Sequence, residues 1–315
     1  MILNRRYIRA KVLQSVYAMV QSKNDNLQKE EQFLWMRIDD LEDLHLVILH
    51  LLADLRDRES RFLKLKAKRH LASKEDKKPN TRFINNPILL ALSHSEKLND
   101  AIKSKKLNYW ELHGQISERL LEKIKKSTFY KKYMSLEEAN FDDDKRFIKK
   151  IFQNIIAPSN KLYDFITDVK IGWVDDYPIV NTAILQTLNS LNEGFESYVM
   201  FPKAFKNAED KEFLIQLFRK TVLNSKELAA VFEEKTPNWD NDRLAEIDKI
   251  LLMMAIGEFL YFPSIPAKVS LNEYIELSKM YSSPKSKVFI NGVLDKILKE
   301  YKESGKLQKI GRGLL

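Results

Sequence analysis

The sequence predicts an all-α protein, and three observations carry that prediction. Apolar residues recur at three- and four-residue steps along nearly the whole chain, and strand-type alternation is rare. Glycine is also scarce, with only five of the eight in the first 304 of 315 positions.

The elements follow in order. From Ile8 to Val20 the residues Ile8, Val12, Leu13, Val16, Met19 and Val20 form one apolar stripe. Arg9 falls within that stripe, so its stem is expected to cover the core while its head reaches the edge. Arg5, Arg6 and Arg9 load the first turn with positive charge, which the helix dipole disfavours there. Further helices are expected at 28–38, 41–71, 95–103, 109–126, 144–157, 160–169, 177–191, 209–222, 225–234, 241–260, 271–282 and 286–303. The stretch SKEDKKPNTRFINNP (73–87) reads as a loop or linker, and the tail SGKLQKIGRGLL (304–315) as mobile.

A repeat appears at an offset of 66 residues, with ten identities between Asp144/Asp210 and Leu185/Leu251. They include Phe147/Phe213, Phe152/Phe218, Ser159/Ser225, Leu162/Leu228, Trp173/Trp239 and Asp176/Asp242. Two copies do not make a solenoid, so this reads as one duplicated helical unit.

Composition narrows the chemistry. The chain is 44% hydrophobic and 31% charged, as a globular protein is. Its formal net charge is +9, with eleven Lys/Arg against four Asp/Glu between Arg56 and Arg82. That stretch could face a polyanion, though a solvated helix face is the commoner reason for such a run. There are no cysteines, hence no disulfides and no thiolate sites, which suits a reducing cytoplasm. No apolar segment is long enough for a membrane span, and no signal-type region is evident. Phosphate-binding glycine loops are absent, as are HExxH and GxSxG. Neither a metal nor a cofactor is expected.

Acidic clusters at Asp142–Asp144 and Asp175–Asp176 precede helical patterns and read as caps. Ser270-x-x-Glu273 reads as a capping box. After it, MYSSPKSKVF brings Lys285, Lys287 and Phe289 to a helix entrance. Such a place could hold a phosphate and stack a base, although the local pattern alone favours Phe289 as an ordinary core aromatic. Gly292 lies inside the last helical pattern, where glycine costs about 1 kcal/mol against alanine.

Two segments resemble the NusB family of transcription antitermination factors. RRYIRAKVLQSVYAMVQS (5–22) is similar to its opening helix pattern RRxxRxxxxQxxY, matched by Arg5, Arg6, Arg9, Gln14 and Tyr17. The block 243–297 is similar to the family's C-terminal part, including IPAKVSLNEYIEL and FINGVLD. The resemblance implies two packed helical bundles, no enzyme activity, and binding of boxA-type single-stranded RNA together with ribosomal protein NusE. It also implies action with the RNA polymerase elongation complex. Arg5, Arg6, Arg9, Gln14, Lys285, Lys287 and Phe289 would then face RNA, while Tyr17 and Asp248 would face a protein partner. Gly292 would let the last helix approach a neighbour closely.

The corresponding division is a NusB-like N-terminal part (1–39), an inserted helical region (40–205), a NusB-like C-terminal bundle (206–303) and the tail. Family members are commonly about half this length. A methyltransferase carrying a NusB-like domain is disfavoured because its chemistry needs a cysteine nucleophile. The stronger rival is a protein–protein adaptor that keeps the fold without specific RNA recognition.

Overall fold

The computed structural model describes residues 1–195, 197–236 and 244–314. Among them the regular structure is helical throughout, with no strand. The chain divides into two compact units. Unit 1 comprises Met1–Ile2 and Ile38–Ala204, and unit 2 comprises Leu3–Arg37 and Phe205–Leu315. No described helix is long and apolar enough to cross a membrane.

In chain order the helices are α1 (Arg5–Ser22), α2 (Leu27–Ala67), α3 (Lys74–Lys77), α4 (Pro87–Ser93), α5 (Glu96–Ser104) and α6 (Tyr109–Leu112). They continue as α7 (Gly114–Lys126), α8 (Thr128–Met134), α9 (Phe141–Ile151), α10 (Asn160–Val169) and α11 (Trp173–Ser190). The last five are α12 (Ala208–Leu223), α13 (Ser225–Lys235), α14 (Glu246–Tyr261), α15 (Ala267–Tyr281) and α16 (Ser286–Glu303). A π-helical turn, Phe152–Ile156, extends α9.

Several expected boundaries move. The helices anticipated at 28–38 and 41–71 are one continuous helix, α2, because nothing at Asp39–Asp40 breaks the backbone ladder. The expected 109–126 helix is broken between Leu112 and Gly114. The 73–87 stretch holds a short helix whose capping box joins Ser73 and Asp76, and Pro87 opens α4 as its first residue. Helix α11 starts at Trp173 rather than Tyr177, so Pro178 lies within it. Proline removes one helical hydrogen bond there, while the buried Trp173 and Tyr177 side chains anchor the first turns.

Of the two acidic clusters, the first takes part in a cap as expected, while the second lies in a helix's first turn without a capping hydrogen bond. Asn140 and Asp143 form a capping box at α9, with Asp142 to Asp144 in its first turn, and Asp175 and Asp176 lie in the first turn of α11. Ser270 and Glu273 do not form one. Helix α15 begins at Ala267, after Pro266, so both residues are already inside it.

Unit 2 is built around α14, which packs against α1, α12, α13, α15 and α16. Ile250 to Phe259 are all buried, as expected of a helix apolar all round. Each Leu or Ile buried there contributes about 1.5–3 kcal/mol of transfer free energy. Glu258, fully buried, is the exception in this row.

The tail is not loose. Ile310 N–H donates to the Pro263 carbonyl at 3.0 Å, and Lys309 Nζ donates to the Phe262 carbonyl at 2.9 Å. Residues Gly311–Leu314 then make a 3₁₀ turn. Two of the three tail glycines, Gly311 and Gly313, have separate reasons. Gly311 has φ +53°, and a Cβ on Gly313 would lie 1.9 Å from the Pro263 oxygen.

The 66-residue repeat is visible in the helices. Shifted by 66, α12 covers 142–157 and overlays α9 with its π turn, while α13 overlays α10. Phe147 and Phe213 are each 4% exposed, and Phe152/Phe218 and Leu162/Leu228 are fully buried pairs. Trp239 and Asp242, which complete two of the sequence identities, lie outside the described residues.

Candidate nucleic-acid interface

Helix α1 is capped by Asn4, whose side chain accepts from Tyr7 N–H at 3.0 Å. Its first turn carries no acid, and the arginines there find their counter-charges on other helices of unit 2. Arg5 Nε lies 2.9 Å from Asp210 Oδ1, with Glu209 Oε2 3.6 Å from its Nη2; both acids are in the first turn of α12. Arg6 makes a two-pronged contact with Glu273 on α15, Nε–Oε2 2.9 Å and Nη2–Oε1 2.8 Å. The hydrogen bond that Arg6 donates to Glu273 raises the Arg6 pKa above its ordinary value.

Arg9 is inside the protein. Only 2% exposed, it pairs with Glu258, Nε–Oε2 2.8 Å. Ser270 Oγ and Tyr274 Oη also donate to that carboxylate, at 2.6 and 3.0 Å. Burial disfavours both charges, but the arginine outweighs it and holds the Glu258 carboxyl below the usual carboxylate range. The expected direct phosphate contact by Arg9 does not fit this geometry, since its guanidinium is already engaged in the core. The same packing uses the supposed capping-box residues: Ser270 serves Glu258, and Glu273 serves Arg6.

Phe213 on α12 lies under this arrangement. The Arg5 and Arg9 guanidinium carbons are 5.3 and 5.1 Å from its ring centroid. The repeat gives this cluster a counterpart in unit 1. There Phe147 stacks on Tyr133 at 4.1 Å, and Asp144 accepts from the Tyr133 hydroxyl. Where unit 2 offers arginines to Asp210 and Phe213, unit 1 offers a tyrosine.

Further along α1, Gln14 Nε2 donates to Tyr281 Oη at 3.2 Å. Arg6–Glu273 and Gln14–Tyr281 share one sequence offset, so α1 and α15 run parallel along this face. Eight helical residues span about 12 Å. Tyr281 ends α15 and is followed by the loop to α16, where Lys285, Lys287 and Val288 are exposed. Neither lysine has a carboxylate at ion-pair distance among the described residues. Phe289 is half-buried, and Tyr17 is exposed.

Asp248 does not face outward. It is 5% exposed and accepts from Ser286 Oγ at 2.7 Å, while Ser282 and Ser283 hydroxyls lie 2.9 Å from that same Oγ. Its role here is to hold the loop end and first turn of α16, which present Lys285 and Lys287. The pattern of serines around 282–286 was the signal for this, and sequence reasoning missed it. Gly292 is also corrected: among the described residues a Cβ there meets nothing within 4 Å, so no described neighbouring helix requires the glycine.

No group of three or more metal-ligating side chains occurs among the described residues. The site is a helical face: paired arginines at one end, exposed lysines at the other, and α1 alongside α15 between them. That is a basic face on an all-helical unit.

The NusB family model matches residues 181–299, which include α12 to α15 and most of α16 but not α1. Transcription antitermination protein NusB of Salinibacter ruber (strain DSM 13855 / M31) is 44% identical over 105 residues, 33% of this chain and 66% of that protein. The protein of the same name from Chloroherpeton thalassium (strain ATCC 35110 / GB-78) is 41% identical over 105 residues, 33% of this chain and 50% of its own length. That from Listeria monocytogenes serotype 4b (strain CLIP80459) is 40% identical over 103 residues, 32% of this chain and 80% of its length. The match thus spans half to two thirds of the first two relatives. No solved structure matches. The chain belongs to the NusB family.

Proposed function

We propose that this protein is a transcription antitermination factor that binds boxA-type single-stranded RNA together with ribosomal protein NusE, and acts with elongating RNA polymerase. The observation that carries this reading is the α1–α15 face of a NusB-family bundle, with Arg5 and Arg6 at one end and Lys285 and Lys287 at the other. The unneutralised lysines supply the phosphate attraction, and Gln14, Tyr281 and Phe289 supply hydrogen-bonding and stacking groups beside them. Arg9 contributes by fixing α1 rather than by touching RNA. Tyr17, exposed on the same helix, is the residue this reading assigns to a protein partner.

One observation favours the second reading, an adaptor without specific RNA recognition: Arg5 and Arg6 are each neutralised by their own fold. Salt dependence separates the two. RNA binding through several phosphates weakens with a log–log slope of about −0.7 per phosphate on single strands. The experiment is a titration of the full chain with boxA RNA and a scrambled RNA, with and without NusE, at two salt concentrations. Preference for boxA that strengthens with NusE and fades in Lys285→Gln/Lys287→Gln supports antitermination. Capture of NusE with no RNA binding leaves the adaptor.

A further inference from the structure

Unit 1 carries a cationic surface in a place the sequence did not indicate. Part of the basic 56–82 stretch is committed to its own fold. Arg58 binds Asp54 and the Trp110 carbonyl, Arg56 binds the Ile84 carbonyl, and Arg82 binds the Tyr133 and Glu137 carbonyls. Uncommitted charge gathers also on α7 to α10, where two grooves adjoin with Phe129 in the wall of both.

One groove, a cleft of about 270 Å³, is lined by Lys132, Arg146 and Lys150 over an aromatic floor of Tyr133 and Phe147. The other is lined by Lys123 and Lys161. All five cations are exposed. Asp143, paired with Arg146 at 3.3 Å, is the single carboxylate lining either groove among the described residues. Lys150 Nζ sits 5.6 Å from the centre of the half-buried Phe129 ring.

We infer that this surface is a second single-stranded RNA site, separate from the α1–α15 face of unit 2. The physical argument is the combination of charge and aromatic surface. Cations on both sides of an accessible ring can follow a phosphate backbone while the ring stacks a base, with little dependence on which base it is. An acidic protein segment would use the lysines but gain nothing from stacking on Phe129. RNA is therefore the occupant this arrangement fits.

The test uses the full chain and a fluorescein-labelled 12-nucleotide oligo(U), read by anisotropy at several salt concentrations. The unit 2 face is first disabled by Arg5→Gln/Arg6→Gln/Lys285→Gln/Lys287→Gln, and residual binding is assigned to unit 1. Adding Lys132→Gln/Lys150→Gln/Lys161→Gln is expected to lower the log–log salt slope by about 2, at about 0.7 per lost phosphate contact. Phe129→Leu, which keeps the packing but not the stacking, is expected to weaken binding about tenfold with the slope unchanged. Thermal melts confirm that each variant folds. An unchanged slope in the lysine variant overturns the proposal. So does a silent Phe129→Leu variant together with competition by poly-L-glutamate as strong as by unlabelled oligo(U), which would assign the surface to an acidic protein. The unit 2 variant is measured on boxA separately, so failure at one surface is distinguishable from failure at the other.

Discussion

Arg9 on α1 and Glu258 on α14 form an ion pair in the core of unit 2, their side chains 2% and 0% exposed. The carboxylate is saturated by Arg9, Ser270 and Tyr274, and the guanidinium is further held between the Phe213 and Tyr274 rings. Removing either charge leaves the other buried without compensation, which typically costs about 3–5 kcal/mol. Arg9→Met is expected to lower the free energy of unfolding by that amount in urea titrations at pH 7. Arg9→Met/Glu258→Met is expected to recover part of it, since no lone charge remains. An Arg9→Met loss under 1 kcal/mol would show that the pair does not anchor α1.

Gly292 and Gly313 make opposite predictions. Gly292 is exposed within α16 and has open space where its Cβ would be, so Gly292→Ala is expected to stabilise by about 0.5–1 kcal/mol. Gly313→Ala would force a Cβ onto the Pro263 oxygen, and the tail is expected to detach. Trypsin cleavage after Lys306 and Lys309 reads this directly, and a rate equal to the parent's would refute it. If Gly292→Leu leaves stability intact but weakens RNA binding, the glycine serves a bound partner.

His45 gives unit 1 a pH dependence. Burial pushes its pKa down to about 4, and its Nε2 has no hydrogen-bond partner among the described residues. His50 is lowered as well, again chiefly by burial. A histidine depressed on folding takes up its proton mainly in the unfolded chain, so its stabilising contribution is full above pH 6.5 and declines towards pH 4. For His45 the total is about 3 kcal/mol. Urea midpoints are expected to fall between pH 6.5 and 5, and His45→Leu to flatten that fall. Glu258 acts in a different window: its carboxyl is lowered by Arg9 from about 4.5, so its contribution disappears only below that pH.

Asp248→Ala removes the acceptor that holds Ser286 and, through it, the loop carrying Lys285. RNA affinity is expected to fall several-fold although residue 248 is buried, with a stability loss of about 1–3 kcal/mol. An unchanged affinity would show that the loop does not need this anchor.

The helical class and most helices were legible because periodicity reports which face is buried, and burial here is nearly all helix against helix. The repeat was legible for the same reason: Phe147/Phe213 and Phe152/Phe218 are core positions in both copies. Partners of polar groups were not legible. Arg6, Arg9, Ser270 and Glu273 each had a plausible local use, but their real partners lie on other helices, about 250 residues distant in sequence for Arg9. Gly313 escaped for a related reason, since a backbone oxygen fifty residues earlier sets its requirement. Local pattern identifies a helix, whereas the choice among long-range partners depends on packing.

That choice of partners bears on RNA binding through Glu273. It holds Arg6 in a two-pronged contact and lies 3.8 Å from Arg9 Nη1. A phosphate approaching Arg6 must therefore share the guanidinium with this carboxylate or displace it. Arg6 is partly exposed, so the pair itself adds little to stability, on the order of 0–1 kcal/mol. Its larger effect is on the local field, where one negative charge offsets the arginine. Glu273→Gln keeps the shape and a hydrogen-bond acceptor but removes the charge. It is expected to tighten boxA binding about threefold at low salt, and the gain should shrink as screening increases. Because Arg9 remains satisfied by Glu258, folding stability should stay within about 1 kcal/mol. A Glu273→Gln variant that is equally stable and binds RNA no better would mean that Arg6 serves only to hold α1 against α15.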